Sequence, residues 1–158
     1  MTDFTVTDAD PSRDLEDVKR LFRAYVDWLG IDLSYQGFEE ELAALPGKYV
    51  PPLGALILAK TSSDVSIGCV ALRPMADEGI CEMKRLYVAP EGRGSGAGSS
   101  LVSAVLGRAR SAGYRYMRLD TLPTMEGAIR LYKAAGFVEI PAYYDTPIKE
   151  TVFLQCTL

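Results

Sequence analysis

The sequence predicts an α+β fold in which a mixed, mostly antiparallel central sheet is flanked by helices. Three observations carry that expectation. Strand-like runs at 54–60, 65–72 and 80–88 are separated by short polar turns, the spacing of an antiparallel meander. Apolar residues recur at three- and four-residue intervals on both sides of that meander, as the buried faces of helices do. A loop punctuated by Gly92, Gly94, Gly96 and Gly98 then joins the last of these strands to a helix.

The elements follow in order. Residues 3–8 (DFTVTD) alternate as a short strand. Asp10-Pro11-Ser12 has helix-start chemistry, and Leu15, Val18, Phe22, Tyr25 and Leu29 mark one helical face that Gly30 ends. After a loop at 31–37, Phe38, Leu42 and Leu45 mark a short helix that stops at Pro46-Gly47. The three strands of the meander come next. Beyond the glycine loop, Leu101, Val102, Val105, Leu106 and Ala109 form a stripe ending at Gly113, and 114–121 is a strand. Pro123-Thr124 opens a helix carrying Ile129, Leu131, Tyr132 and Ala135, with Gly136 as its stop. Strands at 137–140 and 150–158 close the chain, separated by a loop containing Tyr143 and Tyr144. The order is β-α-α-β-β-β-α-β-α-β-β, expected as one domain over 1–158.

Composition narrows the function. A chain of 158 residues with 48% hydrophobic content can bury about two thirds of its unfolded surface. Net charge is −4 and pI about 4.9, which argues against a broad nucleic-acid footprint and is compatible with a cationic amine substrate. No apolar stretch reaches bilayer length and no signal peptide opens the chain, so a cytoplasmic protein without membrane attachment is expected. Cys69, Cys81 and Cys156 sit in apolar strand contexts and are expected as buried free thiols. There is no histidine, which removes Ser-His and Cys-His catalysis and most zinc sites. No metal is expected, and any general base is a carboxylate, tyrosine, lysine or water.

Successive N–H groups ahead of a helix form an anion nest, so the glycine loop invites a diphosphate. Two templates fit it. Gly92-x-Gly94-x-x-Ala97, with Asp120 closing the next strand, imitates a dinucleotide fingerprint. Arg93-x-x-Gly96-x-Gly98 resembles the acyl-CoA pyrophosphate loop of the GNAT family of N-acetyltransferases. The first strand of a dinucleotide fold is a continuous apolar run, whereas Glu82, Lys84 and Arg85 interrupt this one. Only 38 residues follow Asp120, too few to finish a doubly wound domain. The acyl-CoA template is favoured over both the dinucleotide template and a ligand-free βα turn.

A second landmark strengthens the resemblance. Leu131-Tyr132-x-x-x-Gly136-Phe137 matches the family's LYxxxGF signature 33 residues past Gly98, and Leu86-Tyr87-Val88 precedes the loop. The segments CEMKRLYV, LDTLPTM and AYYDTP further look like a bacterial subgroup of small GNAT proteins. The element order is similar to the GNAT fold over essentially the whole chain.

The resemblance implies acetyl-CoA as donor, a primary amine of a small molecule or peptide as acceptor, and direct transfer in a ternary complex. It implies that Arg93, Gly94, Ser95, Gly96, Ala97, Gly98 and Ser99 hold the pyrophosphate, aided by the Ser99 or Ser100 hydroxyl. Leu86, Tyr87 and Val88 would pair with the pantetheine arm where the fourth strand bulges and splays from the fifth. The Val88 N–H is a candidate oxyanion donor. Tyr132 either reaches the thioester sulfur or packs under the sheet. Glu82, eleven residues before Arg93, either accepts the amine proton or pairs with Lys84 or Arg85. Trp28, Tyr35, Tyr143 and Tyr144 are the aromatic residues placed near the acceptor. Met125 stands where many relatives carry an asparagine, which puts that contact with the cofactor arm in doubt. Family members commonly pair, so a homodimer is admitted. A non-catalytic acyl-CoA sensor and a nucleotide-dependent oxidoreductase remain as alternatives.

Overall fold

The computed structural model describes residues 3–158, so the first two residues of the expected domain lie outside it. Among the described residues, seven strands and four helices follow in the expected order. They are β1 (Phe4–Asp8), α1 (Leu15–Leu29), α2 (Phe38–Ala44), β2 (Ala55–Thr61), β3 (Ser66–Pro74), β4 (Ile80–Val88), α3 (Ala97–Ser111), β5 (Tyr116–Thr121), α4 (Glu126–Ala134), β6 (Val138–Ile140) and β7 (Val152–Thr157). One sheet takes them in the order β1-β2-β3-β4-β5-β7-β6, and its only parallel pair is β4 with β5.

Each face of the sheet has its own core, and β2 shows why. Its residues alternate, with Ala55, Ile57 and Ala59 packing with α3 residues such as Leu101 and Val105, and Leu56 and Leu58 packing with Leu21 and Phe22 of α1 and Phe38 of α2. Cys69, Cys81 and Cys156 are buried and free, as expected. No helix among the described residues is long and apolar enough to cross a membrane.

Two helix starts differ from expectation. Asp10 Oδ1 accepts the Ser12 N–H at 2.9 Å and the Ser12 hydroxyl at 2.7 Å, which makes a turn that delays α1 to Leu15. Asp14 then precedes the helix, but its carboxylate turns elsewhere: Oδ2 accepts the Asp10 N–H at 2.7 Å and Oδ1 accepts Lys60 Nζ at 2.8 Å. Pro123-Thr124 likewise lies in a turn closed by Met125 N–H to Leu122 O, and α4 starts at Glu126.

The centre of β4 is irregular. Cys69 pairs with Tyr87 and Ala71 with Lys84, so Arg85 and Leu86 together face Val70 in a bulge, with Arg85 left-handed at φ 61°. That conformation costs about 1 kcal/mol for a residue with a Cβ. Four contacts hold it: Arg85 Nε donates to Glu41 Oε2 at 3.1 Å, Nη2 donates to Glu41 Oε1 at 3.4 Å, Nη1 donates to Gln36 Oε1 at 2.9 Å, and the guanidinium lies 5.3 Å from the Phe38 ring centre. The extra residue reverses side-chain parity. Cys81 and Met83 pack on the α3 face, and past the bulge Leu86 and Val88 join them while Tyr87 turns to the α1 face.

β4 also parts from β5. Their ladder holds Ile80–Tyr116, Cys81–Met117 and Glu82–Arg118 and ends there, while β5 stays paired with β7 through Thr121. The second half of β4 therefore borders a gap in the sheet.

Candidate active site

The glycine loop closes one end of that gap. A 3-10 turn at Pro90–Gly92 follows β4, and the Ser95 hydroxyl donates to Gly92 O while accepting the Ala97 N–H at 3.3 Å. Gly94 and Gly96 are left-handed at φ 80° and 89°, a conformation that favours glycine. The helical ladder of α3 begins with Ser100 N–H to Gly96 O at 3.1 Å, which leaves the Gly98 and Ser99 N–H groups ahead of it at the positive end of the helix. A Cβ on Gly98 would come 3.0 Å from Leu131, so glycine also lets α3 sit close to α4.

A groove of about 330 Å³ runs from this loop along β4, lined by Trp28, Leu86, Tyr87, Val88, Arg93, Gly94 and Gly98. Arg93 Nε donates to Val88 O at 3.2 Å, and its guanidinium lies 5.4 Å from the Trp28 ring centre. The Ala89 N–H bonds Ile67 O in β3, so by strand alternation the Val88 N–H and C=O face the gap. Trp28, expected near the acceptor, thus stands at the loop end of the groove, half-exposed and 5.7 Å from the Tyr87 ring.

Deeper in the gap is a cavity of about 40 Å³. Its polar wall includes Tyr25, Tyr35, Gln36, Lys84, Arg85, Asp120, Thr121, Tyr132 and Thr151, and its apolar wall includes Leu29, Ile31, Leu33, Met83, Leu119 and Leu122. Leu86 lines both groove and cavity. Tyr132 is buried, its ring 5.7 Å from that of Phe137, so it is core by area while still forming part of the cavity wall. Burial, reinforced by Tyr25 and Asp120, pushes its pKa well above the ordinary tyrosine value and keeps the hydroxyl protonated.

Gln36 organises the polar wall. Its amide nitrogen lies 3.3 Å from Asp120 Oδ2, from the Tyr35 hydroxyl and from the Tyr144 hydroxyl. Its amide oxygen accepts Lys84 Nζ at 3.1 Å and Arg85 Nη1 at 2.9 Å. The Tyr144 hydroxyl donates to Asp120 Oδ2. Lys84 and Asp120 form a long ion pair at 4.0 Å. Burial lowers the Lys84 pKa, outweighing the opposing effect of Asp120 and Glu82.

Glu82 lies outside the cavity wall. Its Oε1 accepts Arg73 Nε at 2.9 Å with Nη2 at 2.7 Å, and its Oε2 accepts the Tyr143 hydroxyl at 2.6 Å. The partners expected for it, Lys84 and Arg85, are engaged by Gln36 and Glu41 instead. Tyr143 accordingly sits with Glu82 and packs edge-on against Phe153 at 5.0 Å. The structure brings Tyr35 and Tyr132 to one cavity, gathers Trp28, Leu86, Tyr87, Val88, Arg93, Gly94 and Gly98 along the groove, and sets Glu82 and Tyr143 apart from both. Ser95, Gly96, Ala97 and Ser99 complete the loop itself. Gln36, Lys84 and Asp120 were not foreseen as a group. The available signal was the run of charges inside β4 and the carboxylate ending β5.

The sequence model of the Acetyltransferase (GNAT) family matches residues 22–137, from within α1 to the phenylalanine after α4. The chain belongs to the GNAT family. An uncharacterized N-acetyltransferase of Schizosaccharomyces pombe is 42% identical to it over 143 residues, spanning 90% of this chain and 88% of that protein. An uncharacterized N-acetyltransferase of Dictyostelium discoideum is 32% identical, spanning 91% and 94%. The likeness therefore extends well beyond bacteria. A GNAT-family acetyltransferase of Staphylococcus aureus Mu50 superposes with a TM-score of 0.81 over 98% of this chain and 99% of its own, at 18% identity. An acetyltransferase of Streptococcus agalactiae gives 0.78 over 98% of each chain at 17% identity. These two likenesses concern the fold alone, and the GNAT fold expected from the sequence is the fold observed. Gln36, Lys84, Asp120 and Tyr132 fall within the matched span, whereas Tyr143 and Tyr144 come from beyond it.

Proposed function

We propose that this GNAT protein is an acetyl-CoA-dependent N-acetyltransferase that acetylates a primary amine by direct attack in a ternary complex. The observation that carries the proposal is the shared wall at Leu86: a thioester laid along β4 from the glycine loop ends beside Tyr132. The left-handed glycines and the free helix start at Gly98 and Ser99 suit a pyrophosphate. The open edge of β4 at Leu86, Tyr87 and Val88 suits the pantetheine amides as an added strand would.

In this reading the amine attacks the thioester carbonyl, and the gap-facing Val88 N–H receives the developing oxyanion. The Tyr132 hydroxyl gives its proton to the departing thiolate. Two carboxylates on this face can take the amine proton. Asp120 does so from the cavity wall, and Glu82, tied to Arg73 and Tyr143, does so only through water. Most of the acceleration comes from positioning. No step calls for a metal. A cytoplasmic setting fits this donor.

The test is calorimetric titration with acetyl-CoA, together with mass spectrometry of a pooled panel of amines, amino acids, polyamines and peptides. Binding with an acetylated product supports the proposal. Binding without any product makes the chain an acyl-CoA sensor, and absence of binding removes the loop assignment.

A further inference from the structure

The cavity beside Tyr132 contains one cation and one anion that the protein does not fully satisfy. Around it, the other buried charges are matched: Arg85 with Glu41 at 3.1 Å, and Arg73 with Glu82 at 2.7 Å. Lys84 is 6% exposed and carries three donors, yet among the described residues its hydrogen-bond acceptor is Gln36 Oε1. Asp120 Oδ2 is taken by Tyr144 and Gln36, while Oδ1 faces Lys84 across 4.0 Å, beyond hydrogen-bond distance. An ammonium and a carboxylate held that close, each with capacity left, match a ligand that carries both charges on neighbouring atoms.

We propose that the Lys84–Asp120 pair takes the head group of an α-amino acid, its carboxylate on the Lys84 ammonium and its amine on the Asp120 carboxylate, with the cavity of about 40 Å³ holding that head group and the side chain extending into the open gap. The inference rests on the acyl-transfer reading above and names its acceptor class. A zwitterion leaves the charge balance of the site unchanged. A polyamine would set further positive charge beside Lys84 and Arg85, and a peptide amino terminus has no adjacent carboxylate for Lys84. Burial lowers the Lys84 pKa in the free protein, and a carboxylate at hydrogen-bond distance opposes that shift.

The step balances. The ammonium passes one proton to Asp120, and the neutral nitrogen forms the amide bond to the acetyl carbon. The carbon–sulfur bond breaks, the thiolate takes the Tyr132 proton, and the second proton lost from nitrogen returns to the Tyr132 oxygen. The products are the N-acetyl amino acid and free coenzyme A.

The experiment compares leucine, leucinamide and isopentylamine as acceptors, within a panel of the twenty protein amino acids, on the full chain with acetyl-CoA. Leucine is expected to exceed the other two in kcat/KM by about tenfold or more, the range of a lost charge-assisted hydrogen bond. Lys84→Met should remove that preference while acetyl-CoA affinity, measured by calorimetry, stays within about twofold. Lys84→Gln serves as a second variant if the first folds poorly, and the wild-type comparison needs neither. Equal turnover of the three, or preference retained in the variants, overturns the proposal. Acetyl-CoA binding with no amino acid acetylated also overturns it and leaves the loop assignment standing. Absence of acetyl-CoA binding overturns the acyl-transfer reading itself.

Discussion

Arg73 and Glu82 meet across neighbouring strands with the Glu82 Oε1 atom 2.9 Å from Arg73 Nε and 2.7 Å from Nη2. That contact, with Tyr143 on the other carboxylate oxygen, occupies the acid that the sequence offers as a base, while Asp120 stands on the cavity wall. Asp120→Asn should lower kcat by about 100-fold or more, because it removes the proton acceptor on the cavity wall. Glu82→Gln should leave kcat largely unchanged and instead lower stability by about 1–3 kcal/mol, since it weakens a buried charge-assisted contact. A large loss of kcat in Glu82→Gln alone, measured by steady-state kinetics, would return the role to Glu82.

Tyr132→Phe deletes a hydroxyl and leaves the ring against Phe137. Turnover should fall by about 10- to 100-fold with acetyl-CoA affinity unchanged. Because burial raises the Tyr132 pKa, the wild-type hydroxyl stays protonated above the ordinary tyrosine range. Activity should therefore persist at pH 9–10, apart from effects of the substrate. Steady-state kinetics with calorimetry separates the outcomes, and unchanged turnover removes the hydroxyl from the chemistry.

Gly96 at φ 89° borders open space, so a side chain there has room but a strained backbone, and a carboxylate would add like charge to a pyrophosphate site. Gly96→Glu should weaken acetyl-CoA binding by about 100-fold or more while circular dichroism stays native. Normal affinity in that variant would sink the loop assignment.

The buried pair Lys60–Asp14 predicts an acid-sensitive fold. Burial opposes ionisation of Asp14, but hydrogen bonds from Lys60 Nζ and the Asp10 N–H outweigh it and hold the Asp14 pKa below the usual carboxylate value. The contribution is therefore complete above about pH 4, the unfolded value, and is lost as pH falls through the lower folded value. Lys60→Met should cost about 3 kcal/mol near neutrality by stranding the carboxylate. Urea unfolding of wild type and variant between pH 3 and 7 would read both effects.

Much of this fold was legible because its signals are local. Alternation gave the strands, the three- and four-residue stripes gave the helices, and the turns between β2, β3 and β4 gave the meander. The insertion of β7 between β5 and β6 was not legible, because which neighbour a strand chooses depends on contacts far apart in sequence. The glycine loop and Tyr132 stood out because short motifs carry them. Gln36 did not, since its importance comes from reaching Asp120, 84 residues away in the chain, and Lys84, 48 away. Asp10 suggested a helix start, yet its side chain closed a turn first.

The bulge at Arg85 makes residue count, as well as residue type, part of the site's specification. If Arg85 took ordinary extended backbone, strict alternation through β4 would send Leu86 and Val88 to the side of the sheet now holding Tyr87 and dismantle groove and cavity together. Indels are usually absorbed in surface loops, but here a strand interior carries the extra residue. A homologue lacking one residue between Lys84 and Leu86 would keep those faces without the bulge, and would lose with it the guanidinium contacts to Glu41 and Gln36.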